Sequence, residues 1–393
     1  MSKFLPLSIP NLSDVEKAFV IEAIDDGWVS SVGPHVDQFE KSFAEYLGVG
    51  HAVACSSGTA ALHVALILKG VERGDEVLMP NMTFVATANA VAYIGAYPVF
   101  LDVDPKTLGI CNFSLASFIE QHTKFDGTDL VNKETGRRVK AILPVHMLGC
   151  PVDMDPLLEI CKQYKIEIVE DATESLGSKY KGKMTGTLSD IACFSFNGNK
   201  IITTGGGGMI VTNNGYLAKR AKHLTTTAKT DLVFFEHDEV GYNYRMVNIL
   251  AAIGLGQLSR LDSFIDTKCE TQRLYAELLK GCKGVSLFTA PDYFDSNYWF
   301  NLVSFDKTIM EKYSLRELVK YFEGKGIQTR PMWTLLNQLP MFKHCFSMSQ
   351  VQSTQLHGCS LSIPSSTCIE LCDIERVSNA VYEIVQNVAV DKC

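Results

Sequence analysis

Three short stretches of the chain hold residue types that could do chemistry together. In Cys55-Ser56-Ser57-Gly58-Thr59-Ala60-Ala61-Leu62 an apolar run ends, small polar residues turn the chain, and a helix pattern opens. The free N–H groups and the positive dipole end at a helix start favour a phosphate. Gly58 admits close backbone approach, and Ser57 and Thr59 offer hydroxyl donors. The same residues equally suit an ordinary helix N-cap. In Ile166-Glu167-Ile168-Val169-Glu170-Asp171-Ala172 an apolar strand ends in two carboxylates. Ligands of an open parallel sheet sit beyond the carboxyl ends of its strands. Asp171 lies further out than Glu170 and is the better candidate to face a cationic ring nitrogen; the alternative is a cap on the next turn. In Ala192-Cys193-Phe194-Ser195-Phe196-Asn197-Gly198-Asn199-Lys200 another strand ends in a polar turn with one lysine, and Gly205-Gly206-Gly207-Gly208 follows. A lone lysine is ordinarily solvated, and a glycine run is ordinarily a flexible loop. No phosphate loop of the Gly-x4-Gly-Lys-Ser/Thr kind is present.

Taken together the three stretches meet one chemical requirement. Pyridoxal phosphate needs an amine to bond its aldehyde, an acid facing its pyridine nitrogen, and donors around its phosphate. Lys200, Asp171 and Ser57-Gly58-Thr59 supply these in turn, and Phe84 is an aromatic that could stack on the ring.

The elements that must position these groups are readable in outline. A capping-box pattern at Ser13 and Glu16 opens a helix that stops at Gly27, and a second helix through Val36, Phe39, Phe43 and Leu47 ends at Gly48. From His51 the pattern is strand, turn, helix, repeated. Strands are expected at 52–55, 76–79, 97–102, 140–145, 167–170, 191–196 and 209–212, and helices at 59–68, 84–93 and 154–164. Continuous apolar strands alternating with helices imply an α/β fold with a mainly parallel sheet covered on both faces. The polar stretch Lys124 to Arg138 reads as a surface insertion with a hairpin tip at Glu134-Thr135-Gly136. Long helices follow at 247–261 and 262–279, then strands at 285–288 and 300–305 and a helix at 315–325. The division is placed near residue 255: a large cofactor-binding domain with N-terminal helices over 1–255, and a smaller α+β domain over 256–393.

Composition bounds the class. A chain of 393 residues with 46% hydrophobic and 20% charged residues suits a globular enzyme of more than one domain. A net charge of -8 argues against a nucleic-acid partner. No apolar stretch is long enough to span a membrane, and Met1-Ser2-Lys3-Phe4-Leu5-Pro6 lacks the apolar core of a secretory signal, so a soluble cytoplasmic protein is expected. The 12 cysteines form no CxxC pair and read as reduced thiols. Cys368 and Cys372 have helical spacing but no partners to complete a metal site, and no metal is expected.

At this point the sequence resembles the DegT/DnrJ/EryC1/StrS sugar aminotransferases, within the aspartate-aminotransferase fold. The resemblance runs from about Ile9 to the C-terminus. Six motifs in order carry it: Trp28 to Glu40, Ser57 to Leu62, Pro144-Val145-His146-Met147-Leu148-Gly149, Glu170-Asp171-Ala172, Phe194-Ser195-Phe196 with Lys200, and Gly241-Tyr242-Asn243-Tyr244-Arg245-Met246. It implies that Lys200 carries the cofactor and Asp171 pairs with its ring nitrogen. Ser57, Gly58, Thr59 and Ser195 would hold the phosphate, and Phe84 would stack on the ring. Asn243 would reach the phosphate of the neighbouring subunit in a homodimer with shared active sites. At Glu174, near the cofactor's ring hydroxyl, the family more often has Gln.

The resemblance also implies L-glutamate as amino donor and a nucleotide-linked keto-sugar as acceptor. The segments Trp28 to Gly33 and Thr329-Arg330-Pro331-Met332-Trp333 look most like enzymes that aminate C4 of UDP-4-keto-6-deoxy-N-acetylglucosamine for bacillosamine or legionaminic acid synthesis. Ser31 and Arg330 are the substrate-binding candidates there, Arg330 through the sugar diphosphate. His146 is a third, lining the sugar pocket; it could instead satisfy a strand end. Rival readings are a GDP- or dTDP-linked substrate, as in perosamine or viosamine synthesis, and a non-catalytic binding protein on the same fold. A related dehydratase carries His in place of the lysine, which Lys200 opposes.

Overall fold

The structure is a computed structural model that describes residues 3–231 and 233–390; Met1, Ser2 and Cys393 lie outside the described residues. Helix α1 (Asp14–Asp25) starts on the expected capping box, with the Glu16 carboxylate accepting from the Ser13 N–H at 2.7 Å. Helix α2 (Pro34–Leu47) closes on Gly48 at φ 71°, a left-handed turn that glycine enters without steric cost. The alternation then runs β1 (His51–Cys55), α3 (Gly58–Leu68), β2 (Glu76–Pro80), α4 (Ala86–Ile94), β3 (Tyr97–Leu101) and α5 (Asn112–His122). Next come a hairpin of β4 (Thr123–Phe125) and β5 (Leu130–Asn132), then β6 (Val139–Ile142), α6 (Met154–Tyr164), β7 (Glu167–Ile168) and β8 (Glu170–Asp171). A small pair, β9 (Lys179–Tyr180) and β10 (Lys183–Met184), precedes β11 (Ile191–Ser195), β12 (Gly208–Thr212) and α7 (Gly215–Thr225).

The strands give a mainly parallel arrangement. Strands β3, β2, β6 and β7 pair in that order, all parallel. Strand β8 pairs parallel with β11, and β12 runs the opposite way between β11 and β1. The two sets meet in one interrupted strand, Glu167–Asp171. Its first residues pair with β6 and its last with β11, while the Val169 N–H donates to Ile142 O at 3.1 Å and the Asp171 N–H to Pro144 O at 2.9 Å.

Side chains alternate across the sheet, as strand geometry demands. On β11, Ile191 and Cys193 join the core under α3, α4 and α7, whereas Ala192 and Phe194 join the core under α2. That second core interlocks Phe43 with Phe194 and Phe196, ring centroids 5.2 and 5.4 Å apart. Each such fully buried ring contributes about 2–3 kcal/mol. The strands can be continuously apolar because helices cover both faces.

The C-terminal part continues with α8 (Asn248–Leu258), α9 (Leu261–Leu278), β13 (Val285–Leu287), β14 (Phe294–Asp295), β15 (Asn301–Phe305), α10 (Lys307–Lys312), α11 (Leu315–Gly324), β16 (Arg330–Pro331), α12 (Val351–Cys359), β17 (Ser360–Ile363) and α13 (Leu371–Val390). Strands β13, β15, β17 and β16 form a separate antiparallel sheet.

The expected hairpin tip holds, and two other expectations are corrected in detail. Glu134-Thr135-Gly136 does form a hairpin tip, with Val131 bridged antiparallel to Arg138 and the Asn132 N–H donating to Arg137 O at 2.9 Å; β4 and β5 make a further hairpin just before it. The insertion is not merely surface. Asn132 and Thr135 donate to the buried Glu76 carboxylate at 2.8 and 2.7 Å. The helix expected from Phe84 begins at Ala86, which leaves Phe84 in the preceding turn. All described cysteines are free thiols. No described helix is long and apolar enough to cross a membrane.

Candidate active site

A cavity of about 750 Å³ lies where β1, β8 and β11 end, with the turn after β2 on one side. Lys200, Asp171, Glu174, Ser57, Gly58, Thr59, Phe84, Ser195 and Arg330, all singled out in the sequence, line it.

Asp171 is the last residue of β8 and is 1% exposed. One carboxylate oxygen accepts from Thr87 Oγ1 at 2.8 Å. The other accepts from Thr173 Oγ1 at 2.7 Å and from the Thr173 N–H at 3.2 Å. Both oxygens are therefore fixed, and the group is held as an acceptor. The alternative of a turn cap is partly real, since Thr173 is two residues on; but Thr87, at the N-terminal end of α4, adds a constraint no cap needs.

Lys200 sits in the turn after β11, its N–H bonded to Asn197 O at 3.0 Å. It is not a solvated surface lysine. Its amine lies 3.8 Å from Glu174 Oε1 and 3.8 Å from the centre of the Trp299 ring. Burial draws the amine below the ordinary lysine range, against the opposing pull of Glu174 and Asp171. Burial likewise pushes the Glu174 carboxyl up to about 7, while Lys200 and the Leu148 N–H, which donates at 2.8 Å, pull it back. Leu148 adopts φ 53° to aim that N–H, an uncommon backbone state for a side-chain-bearing residue.

The phosphate cradle follows from close packing of backbone. Ser57 caps α3, its hydroxyl accepting from the Ala60 N–H at 3.1 Å. A Cβ on Gly58 would meet Ser195 Cβ at 2.7 Å, and one on Gly208 would meet the Ser57 carbonyl carbon at 2.5 Å. The glycines are thus required by contact and not by flexibility, and Gly206 and Gly207 line the cavity beside Ser57. Asn199 also lines it, with its buried Oδ1 lacking a partner among the described groups. A helix start free of side chains, flanked by hydroxyls, with a lysine and a fixed carboxylate beyond it, fits pyridoxal phosphate.

The outer wall is aromatic and basic. Phe84 is half-exposed, its ring 6.4 Å from that of Trp333. Arg330 reaches the cavity from β16. Ser31 and Asn243 do not line this cavity. His146 is a correction. It is fully buried behind the site, with Nε2 3.0 Å from Glu170 and Nδ1 accepting the Val152 N–H at 3.0 Å. Glu170 in turn accepts from the N–H groups of Gly186, Leu188 and Ser189. His146 therefore satisfies a strand end, the alternative reading, because its side chain points to the buried side of the turn. Sequence reasoning missed Thr87, Thr173 and Trp299; a Thr two residues after an acid was a readable signal, whereas the other two come from distant elements.

Chemistry of this kind belongs to enzymes that carry an aldehyde cofactor on a lysine and keep the ring nitrogen protonated with a fixed acid. The chain belongs to the DegT/DnrJ/EryC1/StrS aminotransferase family, which it matches over residues 10–382. It is 35% identical over 385 residues to the GDP-perosamine synthase of Caulobacter vibrioides, covering 97% of this chain and 98% of that one. It is 37% identical over 363 residues to the GDP-perosamine synthase of Escherichia coli O157:H7, covering 92% and 93%. Its fold is similar to that of DesI, solved with its TDP-sugar product, at a TM-score of 0.87 and 27% identity over 100% of this chain and 96% of that one. The chain is thus a pyridoxal-phosphate-dependent sugar aminotransferase.

Proposed function

We propose that this enzyme transfers an amino group from L-glutamate to C4 of a nucleotide-linked 4-keto-6-deoxy sugar, with UDP-4-keto-6-deoxy-N-acetylglucosamine the first substrate to test. The observation that carries the reading is a single cavity in which the Lys200–Asp171 pair meets the basic and aromatic wall of Arg330, Phe84 and Trp333. Arg330 suits a diphosphate, because its planar fork presents paired donors. Trp28 to Gly33 and Thr329 to Trp333 resemble enzymes for the UDP-linked sugar. A GDP-linked 4-keto-6-deoxy sugar is the second reading, favoured by the two relatives named as GDP-perosamine synthases.

Bound pyridoxal phosphate supplies an aldehyde that bonds amines and a ring that accepts electrons. The chain's own residues do the rest. Asp171, locked by Thr87 and Thr173, would present its carboxylate as an acceptor to the ring nitrogen. Lys200 Nζ would be the group that moves a proton from the substrate carbon, acting as base and then as acid. Its burial keeps more of the amine neutral and able to accept that proton. Ser57, Gly58, Thr59 and Ser195 would hold the phosphate end. Asn243, exposed and away from this cavity, serves the neighbouring subunit's cofactor phosphate in a homodimer, and Ser31 contacts substrate in the same assembly.

The test is incubation of the cofactor-loaded enzyme with glutamate and a panel of UDP-, GDP- and dTDP-linked 4-keto-6-deoxy sugars, with amine formation followed by mass spectrometry. Amination of the UDP-sugar at the highest kcat/KM is expected, with ping-pong kinetics. Preference for the GDP-sugar selects the second reading, and turnover of none overturns both.

A further inference from the structure

Trp299 touches Lys200 in two ways. The Lys200 amine lies 3.8 Å from the centre of its ring, and the indole N–H donates to the carbonyl of Asn199, the residue before Lys200, at 2.7 Å. Two residues earlier, Asn297 grips the other member of the charged pair. Its side-chain amide donates to Glu174 O at 3.1 Å and to Leu176 O at 2.9 Å, and its Oδ1 accepts the Trp299 N–H at 2.9 Å. Tyr298 between them is held at φ 45°, a conformation that a bulky residue keeps only when its surroundings impose it. The segment thus spans from the backbone of Glu174 to the Asn199 carbonyl and the Lys200 amine, and Glu174 and Lys200 lie on separate turns, after β8 and after β11.

A second buried amine anchors the arch from below. Lys268 on α9 is 2% exposed, and its Nζ donates to Trp299 O at 2.8 Å and to Ser365 O. A buried amine is costly unless its donors are matched, so its carbonyl partners are held tightly in place. Trp333 stacks on the Trp299 ring, centroids 6.4 Å apart and 16° from parallel.

We propose that Asn297-Tyr298-Trp299 is a positioning clamp that sets the distance and orientation of the Lys200 amine relative to Glu174, with Lys268 as its anchor. The proposal rests on Lys200 being the residue that carries the cofactor. Trp299 is a positioning residue here: it favours the cationic form of the lysine nitrogen by presenting a ring face to it.

The experiment uses the full-length, cofactor-loaded enzyme. The wild type is expected to show a visible absorbance band that Lys200→Ala abolishes; absence of that behaviour removes the underlying reading and is seen before any clamp variant is made. Trp299→Leu, which loses both contacts, is expected to lower the pH midpoint of the band by about half a unit. It should also cut kcat about tenfold while the KM for glutamate stays within about threefold, an orientation effect. Trp299→Phe, which keeps a ring face, is expected to restore the midpoint and only part of kcat. Asn297→Ser and Lys268→Met provide further arms if Trp299→Leu does not fold, and each should lower kcat without weakening glutamate binding. A folded Trp299→Leu with wild-type midpoint and kcat overturns the clamp, as does a midpoint that Trp299→Phe leaves fully shifted.

Discussion

Thr87 and Asp171 are 84 residues apart in the chain, and the Thr87 hydroxyl lies 2.8 Å from the Asp171 carboxylate. The first turn of α4 therefore sets the rotamer of an acid presented by the middle of the sheet. Together with Thr173 it leaves the carboxylate little freedom to turn away from the cavity.

Asp171→Asn keeps the shape and loses the charge. It is expected to lower kcat by about 10²–10³, the usual cost of losing one preorganised electrostatic group. Thr87→Val removes one donor to the charge and should lower kcat/KM about tenfold. Steady-state kinetics with a glutamate half-reaction measures both. Equal loss from Asp171→Asn and from a distant control substitution would remove Asp171 from the mechanism.

Glu174 gives a pH signature. Its carboxyl is held up at about 7, above the usual 4.5, by burial. Between those values the folded chain binds more protons than the unfolded chain, so this group's contribution to stability falls as pH rises from about 4.5 to 7. Glu174→Gln removes the ionisation. In cofactor-free protein it should stabilise by about 1–3 kcal/mol at pH 8, and the gain should vanish near pH 4. Lys200, shifted down by burial, acts in the opposite sense at higher pH, with stability rising towards the ordinary lysine range. Thermal melts of both proteins across pH 4 to 9 check this.

Gly208→Ala should be poorly tolerated for a reason other than chain flexibility. Its Cβ would press into the backbone of Ser57, at 2.5 Å. The expected cost is about 1–3 kcal/mol. Because the displaced atom belongs to the cap of α3, cofactor affinity should fall as well, read by spectroscopic titration with pyridoxal phosphate. Gly206→Ala, whose Cβ would meet nothing within 4 Å, is the comparison and should be mild.

Arg330→Ala separates the two half-reactions. The side chain is at the outer wall of the cavity and makes no contact with Lys200 or Asp171 among the described bonds. KM for the nucleotide sugar should rise about 10- to 100-fold, as for loss of a charge-assisted contact. The glutamate half-reaction should be unchanged, and stopped-flow single turnovers would show it.

Much of this was legible because it is local. Ser13 with Glu16 and Gly48 mark helix ends by their own backbone chemistry, and the apolar strands announce a sheet covered on both faces. Lys200 alone read as a surface residue; only its combination with Asp171 and Ser57 argued otherwise, and the cavity brings the three together. What the sequence did not show is which face a side chain takes at an irregular turn. His146 was placed towards the sugar, yet it turns inward to Glu170, since a residue between a strand and a 3-10 turn has no periodicity to fix its side. Thr87 and Trp299 were missed for a related reason: each meets its partner only across tertiary structure, 84 and 100 residues away.

The interrupted strand Glu167–Asp171 is where the two sets of strands join, and the acid stands on its last residue. Its position cannot be settled by either set alone. Lys200 and the clamp at Trp299 depend on contacts between still more distant stretches, and such contacts form slowly because long loops must close first. Capture of the cofactor therefore requires all of these stretches to be in place. In a refolding experiment the colour of the enzyme should appear no earlier than the burial of core aromatics, which makes colour a readout of completed assembly.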